Sequence, residues 1–227
     1  MANHPESQVS PEHIAQSLDG ILVIGGGGHA KVVISILRKL NRHRILGYTD
    51  LKDNGTLLGV SYLGSDRELG ALAVDRKSVN AVLALGQVGL GKQRYELWTR
   101  LHSLGLSFPL IISPDAVVNE EVSGGEGAVV MDGAVINSGA IIGRGAIVNT
   151  NSTIEHDVVL EDWVHVAPGA TISGGVTVGR FSMIGAGATV IEGRKIAAGC
   201  MVGAGTTVVR DLTEPGVYVG SPARRIK

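Results

Sequence analysis

Cysteine is nearly absent from this sequence, since Cys200 is the only one among 227 residues. A single cysteine cannot form an internal disulfide, which excludes the disulfide-stabilised class of small secreted domain. The amino terminus also lacks the succession of basic, apolar and small residues that marks an export signal. These absences predict a cytoplasmic protein.

Aromatic residues and long apolar runs are scarce as well. There are two tryptophans, four tyrosines and two phenylalanines, and no apolar run reaches the roughly 20 residues that a membrane-spanning helix needs. The 21 acidic and 20 basic residues nearly cancel, so no strong field draws the chain to nucleic acid or to an anionic membrane. We therefore expect a soluble protein that acts on small molecules and binds neither.

Glycine, in contrast, is abundant, with 33 residues that cluster in the second half. There, residues 116–211 divide without insertion into sixteen hexads such as AVINSG, AIIGRG and VHVAPG. The third position is Val, Ile or Leu in every hexad but the second, and the sixth is usually glycine. This period is typical of a triangular coil of three short strands, in which the third residue points to the axis and glycine relieves the corners.

An ordinary β-sandwich would instead show turns every 8 to 12 residues or so, with variable loops. We therefore predict that residues 114–227 form a left-handed parallel β-helix, about 25 Å tall at the usual strand spacing, followed by a carboxy-terminal tail. Such a prism does not bury all of its flat faces alone. Its side-by-side packing into a homotrimer is the expected assembly.

The first half of the chain has a different pattern. Residues 1–19 are polar and predict a flexible arm, in which PEHIAQSL is one short helical segment. Residues 20–113 alternate strands (ILVI, RILGYTD, VNAVLALG, LSFPLII) with helices (KVVISILRKL, QRYELWTRLHSLG). Strands that alternate with helices predict a small Rossmann-like parallel α/β sheet.

A glycine turn, GGGGHA, joins the first strand to the first helix, and Asp50 ends the next strand. In dinucleotide-binding folds, backbone amides at such a helix start hold phosphate and an acidic residue binds a sugar hydroxyl. The pattern therefore favours a nucleotide site. The alternative is a tight turn that only packs the helix on the strand.

Two histidines, His156 and His165, lie in the repeat region. His156 occupies a corner of the prism, where its imidazole can act as a general base near neutral pH, with Asp157 or Glu155 fixing its tautomer. A solvated surface histidine is the alternative. A three-histidine zinc site is the rival chemistry in such prisms, but no third histidine follows in the repeats, so no metal is expected.

Cys200 and Trp163 are two further unusual residues of the repeats. Cys200 opens its hexad, where packing explains it better than chemistry. Trp163 replaces a corner glycine beside His165, where it either lines a site or contacts another subunit.

Four segments together resemble a known family: the strand–GGGGHA–helix start, NTNSTIEHD, WVHVAPGATISGGVTVG and PGVYVGSPARRI. They are similar to bacterial nucleotide-sugar acetyltransferases that acetylate the 4-amino group of a deoxy sugar, and to the related sialic acid O-acetyltransferase branch. The resemblance covers about residues 20–227. The pairing of the repeat with the small α/β domain is more specific than the repeat alone.

The resemblance implies acetyl-CoA as the cosubstrate, bound between adjacent prisms of a homotrimer, and a nucleotide-sugar bound by the amino-terminal domain. His156 matches the general base and Asp157 the residue that orients it, a position where the family often has glutamate. The implied substrate-binding residues are Gly26, Gly27, Gly28, His29, Asp50, Lys52, Gly86 and Asn149. The implied acetyl-CoA-binding residues are His165, Gly174, Gly187, Ala204, Arg224 and Arg225.

Three functions remain open from the sequence. The first is N-acetylation of a nucleotide-linked amino sugar by direct attack on the thioester, with the Gly174 amide as a donor to the thioester carbonyl. The second is O-acetylation of a sugar hydroxyl on the same fold. The third is a non-catalytic trimeric nucleotide-binding scaffold, against which the IEHD segment and the two arginines of SPARR argue, since arginine suits the phosphates of CoA.

Overall fold

The computed structural model describes residues 19–65, 68–69, 79–87 and 89–227. The predicted arm and its helical segment therefore lie outside the described residues, except for Asp19. The amino-terminal unit contains β1 (Asp19–Ile24), α1 (Gly28–Leu40), β2 (His43–Thr49), β3 (Asn80–Leu83) and α2 (Lys92–Ser103). The three strands of this unit within the described ranges are all parallel, in the order β2-β1-β3. The predicted small Rossmann-like sheet is confirmed. Of the predicted strand LSFPLII, however, only Ser107 forms a bridge to this sheet, with Asn80, while Ile111–Ile112 belongs to another sheet.

Helix α1 begins directly on the glycine turn, with Gly27 as its N-cap residue. Its apolar residues recur at helical spacing, so that Val33, Ile34 and Leu37 are buried on one side of the helix. The helix ends at Leu40, and its C-cap residue Asn41 has a left-handed backbone (φ 48°) and donates its N–H to the Leu37 carbonyl. The turn and the helix start are thereby fixed at the carboxyl end of the central strand, β1.

The rest of the chain forms the predicted left-handed parallel β-helix. Its strands form three sheets, which we call face 1, face 2 and face 3. Face 1 contains β4 (Ile111–Ile112), β7 (Val129–Val130), β10 (Ile147–Val148), β13 (His165–Val166), β16 (Met183–Ile184), β19 (Cys200–Val202), β21 (Gly216–Val219) and, antiparallel at its end, β22 (Arg224–Arg225).

Face 2 contains β5 (Val117–Val118), β8 (Val135–Ile136), β11 (Thr153–Ile154), β14 (Thr171–Ile172), β17 (Thr189–Val190) and β20 (Thr207–Val208). Face 3 contains β6 (Ser123–Gly124), β9 (Ile141–Ile142), β12 (Val159–Leu160), β15 (Thr177–Val178) and β18 (Lys195–Ile196). The chain passes from face 1 to face 2 to face 3 in every coil, so each corner turn lies on edge 1–2, edge 2–3 or edge 3–1. Strands of successive coils pair in parallel, as Ile147 does with Val129, 147 − 129 = 18 residues earlier.

The prism is longer at both ends than the hexads predict. It begins at β4, ahead of Ala116, because the hexad that precedes Ala116 supplies an inward-facing Ile112 but carries Asp115 where glycine is usual. Beyond Asp211 the predicted tail includes β21, which pairs with β19 and extends face 1. The third-position aliphatic residues fill the axis as predicted, for example Val148, Ile154 and Leu160, all completely buried.

The amino-terminal unit packs on face 1. Outward-facing Val129 and Ile147 of this face join the apolar cluster that contains Val33 and Leu37 of α1. At the rim of this contact the Lys39 ammonium lies 2.6 Å from a carboxylate oxygen of Asp115 and of Asp132. These contacts, together with those of α2, place the glycine turn beside the prism.

Trp163 anchors the second helix to the prism. It lies on edge 3–1 with a left-handed backbone (φ 64°), which costs a bulky residue about 1 to 2 kcal/mol. Its ring is 2% exposed and meets the rings of Tyr95 and Trp98 of α2 edge-on. Trp163 is therefore an anchor between the two units of one chain, which is neither of the two positions that the sequence suggested.

Candidate active site

The glycine turn lies at the carboxyl ends of β1 and β2, as the sequence predicts. The Gly26 amide donates to Asp50 Oδ2 at 2.6 Å, and the other oxygen of this carboxylate accepts from the Leu51 amide, also at 2.6 Å. A Cβ on Gly26 would come within 2.7 Å of both Asp50 and Tyr48, so only glycine fits there. Asp50 thus closes the turn, while Lys52 is exposed in the loop that follows.

A cavity of about 260 Å³ opens between the ends of the strands and α2. Thr49, Asp50, Gly86 and Arg94 are among its lining residues. His29 packs against Gly86, with its Cβ 3.7 Å from the position of a Cβ on that glycine. The pKa of His29 is lowered to about 4, first by burial and then by the positive charge of Arg94. His29 is therefore neutral at pH 7.

His165 joins the prism to the amino-terminal unit. It projects from β13 on face 1, is 5% exposed, and has its Nδ1 3.0 Å from the carbonyl oxygen of Gln87 and its Nε2 3.1 Å from Asn149 Nδ2. Because a carbonyl only accepts, the proton lies on Nδ1, and Nε2 accepts from the Asn149 amide. Burial, with help from Arg94, lowers the pKa of His165 to about 4.

Both ring nitrogens of His165 are thus occupied, which makes this residue unsuited to removing a proton. Instead it holds Asn149, whose Oδ1 also accepts from the Thr150 amide at 2.8 Å. Gln87 contacts the predicted site residue His165 but was not itself predicted from the sequence. Its only signal is its place directly after Gly86, at the end of a strand that carries a predicted site residue.

His156 lies in the turn between β11 and β12, on edge 2–3, a corner position as predicted. Its Nδ1 is 2.8 Å from Asp157 Oδ2, and a carboxylate only accepts, so Nδ1 carries the proton and Nε2 presents a lone pair. The pKa of His156 is raised, chiefly by this hydrogen bond with Asp157. Of the two residues expected to orient His156, Asp157 makes the hydrogen bond to the imidazole, whereas the Glu155 carboxylate accepts from Asn137 Nδ2 at 2.9 Å.

Gly174 lies directly beneath His156 in the next coil. A Cβ on Gly174 would lie 2.6 Å from both Cε1 and Nε2 of the imidazole. The amide N–H of Gly174 makes no hydrogen bond within the described residues. The free imidazole nitrogen and an unused backbone donor therefore lie together on edge 2–3.

The remaining predicted site residues lie on other edges of the same prism. Gly187 and Ala204 are in turns on edge 1–2, on the side where Asn149 follows β10. Arg224 and Arg225 form β22 at the end of face 1, and Arg225 pairs with Glu214 at 2.7 Å. The predicted site residues of one chain thus form two groups: His156, Asp157 and Gly174 on edge 2–3, and the others on face 1, edge 1–2 or the amino-terminal unit.

The Cys200 thiol is buried and donates to the Glu214 carbonyl at 3.3 Å, and burial raises its pKa. Within the described ranges, no group of three or more His, Cys, Asp or Glu residues is placed to hold a metal ion. Nor does this part of the chain contain a helix long and apolar enough to cross a bilayer.

Comparisons with known proteins identify relatives of this chain. A model of the PglD N-terminal domain matches residues 20–97, and a model of the bacterial transferase hexapeptide matches residues 139–174. A mutant of the perosamine N-acetyltransferase of Caulobacter crescentus, solved with CoA and GDP-perosamine, is 37% identical, with a TM-score of 0.86 over 93% of this chain and 98% of that one.

The acetyltransferase domain of PglB from Neisseria gonorrhoeae, solved with acetyl coenzyme A, is 32% identical, with a TM-score of 0.85 over 92% of this chain and 100% of that one. WeeI from Acinetobacter baumannii is 25% identical, with a TM-score of 0.82 over 91% and 99%. The chain therefore belongs to the family of acetyl-CoA-dependent acetyltransferases that join a PglD N-terminal domain to a left-handed β-helix of hexapeptide repeats.

Proposed function

We propose that this enzyme transfers the acetyl group of acetyl-CoA to the amino group of a nucleotide-linked sugar, a 4-amino-4,6-dideoxy sugar, with His156 as the general base. The observation that carries the proposal is the His156–Asp157 pair, whose free Nε2 lies beside the unused N–H of Gly174. The likeness to a perosamine N-acetyltransferase solved with GDP-perosamine supports the substrate class.

The reaction follows from these groups. The unprotonated sugar amine attacks the thioester carbon, and His156 Nε2 accepts the proton that the new N–C bond releases. Asp157 holds the proton on Nδ1 and stabilises the imidazolium that forms. The Gly174 amide donates to the developing oxyanion, and collapse of the tetrahedral species expels the CoA thiolate. No covalent acyl-enzyme is required.

We further propose that the active site is shared between the subunits of a homotrimer. His156 and Gly174 lie on edge 2–3, whereas Asn149, His165 and the glycine turn belong to the face 1 side of the same prism. A substrate held by the amino-terminal unit of one subunit therefore meets the base of a neighbouring one. Acetyl-CoA then lies between two prisms, in contact with one edge of each.

The base is tested with His156→Asn. We expect turnover to fall about a hundredfold to ten-thousandfold, while acetyl-CoA binding measured by calorimetry stays close to wild type. His102→Asn, which changes an exposed histidine on α2, is the matched control. Near-normal turnover of His156→Asn would rule out the proposed base.

Sharing of the site is tested by mixing. His156→Asn and Asn149→Ala homotrimers should each be nearly inactive. When equal amounts reassemble at random, about a quarter of the sites combine an intact His156 from one subunit with an intact Asn149 from its neighbour. About a quarter of wild-type activity should therefore return. Mixtures that stay inactive would place the whole site within one subunit.

The acceptor is tested with a panel of UDP-, GDP- and dTDP-sugars with and without a 4-amino group. Thiol release from acetyl-CoA should depend on the amine. Release with a hydroxyl acceptor alone would identify a sugar O-acetyltransferase, and the absence of any release would leave the scaffold function.

A further inference from the structure

Arg94 of α2 carries a buried guanidinium without a counter-charge. The residue is 4% exposed, and its Nη1 donates to the Gly145 carbonyl at 2.7 Å and approaches Gln87 Oε1 at 3.4 Å. Its Nε and Nη2 have no partner among the described residues, and no carboxylate there forms an ion pair with it. Withdrawing a charge from water is strongly unfavourable unless a counter-charge or hydrogen bonds compensate.

Other unpaired polar groups lie around the same cavity. Thr49, at the end of β2, lines the cavity with Arg94, and its buried Oγ1 has no partner. Nε2 of His29, the residue packed against Gly86, is also buried and unpaired. Orphaned polar atoms of Thr49 and Arg94 therefore belong to residues that line one space of about 260 Å³, and that of His29 belongs to a residue packed against the lining residue Gly86. Such a concentration indicates a ligand rather than a packing defect.

The charge of that ligand follows from what surrounds the cavity. Asp50 is the acidic residue among its lining residues, but each of its oxygens already accepts from a backbone amide. At the start of α1, the amides of Gly27 and Gly28 make no hydrogen bond within the described residues. A helix start and an unpaired guanidinium both favour an anion.

We propose that Arg94 is a substrate-binding residue whose free Nε and Nη2 donate to the diphosphate of the nucleotide-sugar, opposite the amides that begin α1. This inference rests on the proposed function and names a residue for its substrate site. The planar fork of arginine suits two phosphate oxygens. Burial lowers the pKa of Arg94 only to about 10, so the side chain keeps its charge at pH 7.

The test measures ligand affinity by titration calorimetry for wild type, Arg94→Met and Arg94→Lys, with thermal melting to verify folding. The probes are GDP, UDP and dTDP, the nucleosides guanosine, uridine and thymidine, and CoA, which carries a diphosphate of its own. Affinity for the best nucleoside diphosphate should fall about tenfold to a hundredfold in Arg94→Met. Arg94→Lys, which keeps the charge but loses the fork, should lose about tenfold and serves if the methionine variant does not fold.

Nucleoside and CoA affinities should change less than twofold. Unchanged diphosphate affinity in a folded variant would overturn the inference. An equal loss for nucleosides would assign Arg94 a merely structural role, and a selective loss for CoA would assign its guanidinium to the cosubstrate. Both outcomes also overturn it. Failure of wild type to bind any nucleoside diphosphate would instead contradict the proposed function itself.

Discussion

The imidazole of His156 packs on Gly174 of the following coil, where a Cβ on this glycine would lie 2.6 Å from Nε2. Gly174→Ala should therefore push the ring away from its place on edge 2–3. Because a displacement of about 1 Å can cost a hundredfold in rate, we expect kcat to fall about a hundredfold. Steady-state kinetics provides the measurement.

The fold should tolerate the same substitution. Gly174 does not have a left-handed backbone, and His156 is an exposed side chain that can move. The melting temperature should stay within about 2 °C of wild type. Glu192→Ala, at the corresponding corner of the next coil, is the matched control and should keep full activity. Full activity in Gly174→Ala would show that the position of His156 is not critical.

The pH dependence of the reaction should follow His156. The base must be unprotonated, and its pKa is raised chiefly by Asp157, so activity should be lost as pH falls through a value above about 6.5. In Asp157→Asn this pKa falls, so the acid limb of kcat/KM should move to lower pH, while maximal turnover drops because the tautomer is less well fixed.

Glu155→Gln is the control for that profile. Glu155 raises the pKa of His156 less than Asp157 does. Its removal should move the acid limb only slightly. An acid limb that is identical in wild type and Asp157→Asn would assign the profile to another group.

Mild acid should destabilise the fold through its buried histidines. The pKa values of His29 and His165 are lowered to about 4 in the folded state, against about 6.5 in the unfolded chain. The unfolded state therefore binds more protons between these values, and stability is complete above about pH 6.5 and lost as pH falls toward 4. Between pH 7 and pH 5 each histidine should cost about 2 kcal/mol.

Urea unfolding of wild type and His165→Gln over that pH interval measures this effect. The variant should lose less stability than wild type on acidification, by about 2 kcal/mol. Parallel pH curves for the two proteins would show that His165 does not titrate on unfolding.

Cys200 should be dispensable for turnover. Its thiol is buried inside the prism and donates to a backbone carbonyl. Cys200→Ala should lower the free energy of unfolding by about 1 to 2 kcal/mol, through a small cavity and a lost hydrogen bond. Steady-state kinetics of Cys200→Ala should match those of wild type under reducing conditions. A collapsed turnover rate would instead indicate covalent catalysis through Cys200.

The hexads determine much of this fold in advance. Residues such as Ile154 and Val166 are inward because the third position of each hexad faces the axis, and His156 is on a corner because it follows a strand. The first strand of the prism, β4, was predicted as part of the strand LSFPLII of the α/β sheet, because Pro109 and Pro114 flank it and no glycine marks its corner. β21 was not predicted because residues 212–215 interrupt the sixfold period.

The contacts between the amino-terminal unit and the prism could not be predicted from the sequence. Arg94 resembles any charged residue of an amphipathic helix until α2 is seen against Gly145 and Trp163. Gln87 engages His165 through its backbone carbonyl, which every residue possesses. Such relationships depend on which face of the prism the amino-terminal unit covers, and periodicity alone carries no information about that choice.

The uninterrupted 18-residue coil has a consequence for how such a chain can change its length. Loss of one residue between His156 and Gly174 would shift the register of every later side chain relative to the preceding coils, and Gly174 would no longer lie beneath His156. Loss or gain of a complete coil beyond Gly174 would preserve the register between coils and alter only the height of the prism. Whole-coil steps are therefore the natural unit of evolutionary drift and of engineering in this enzyme.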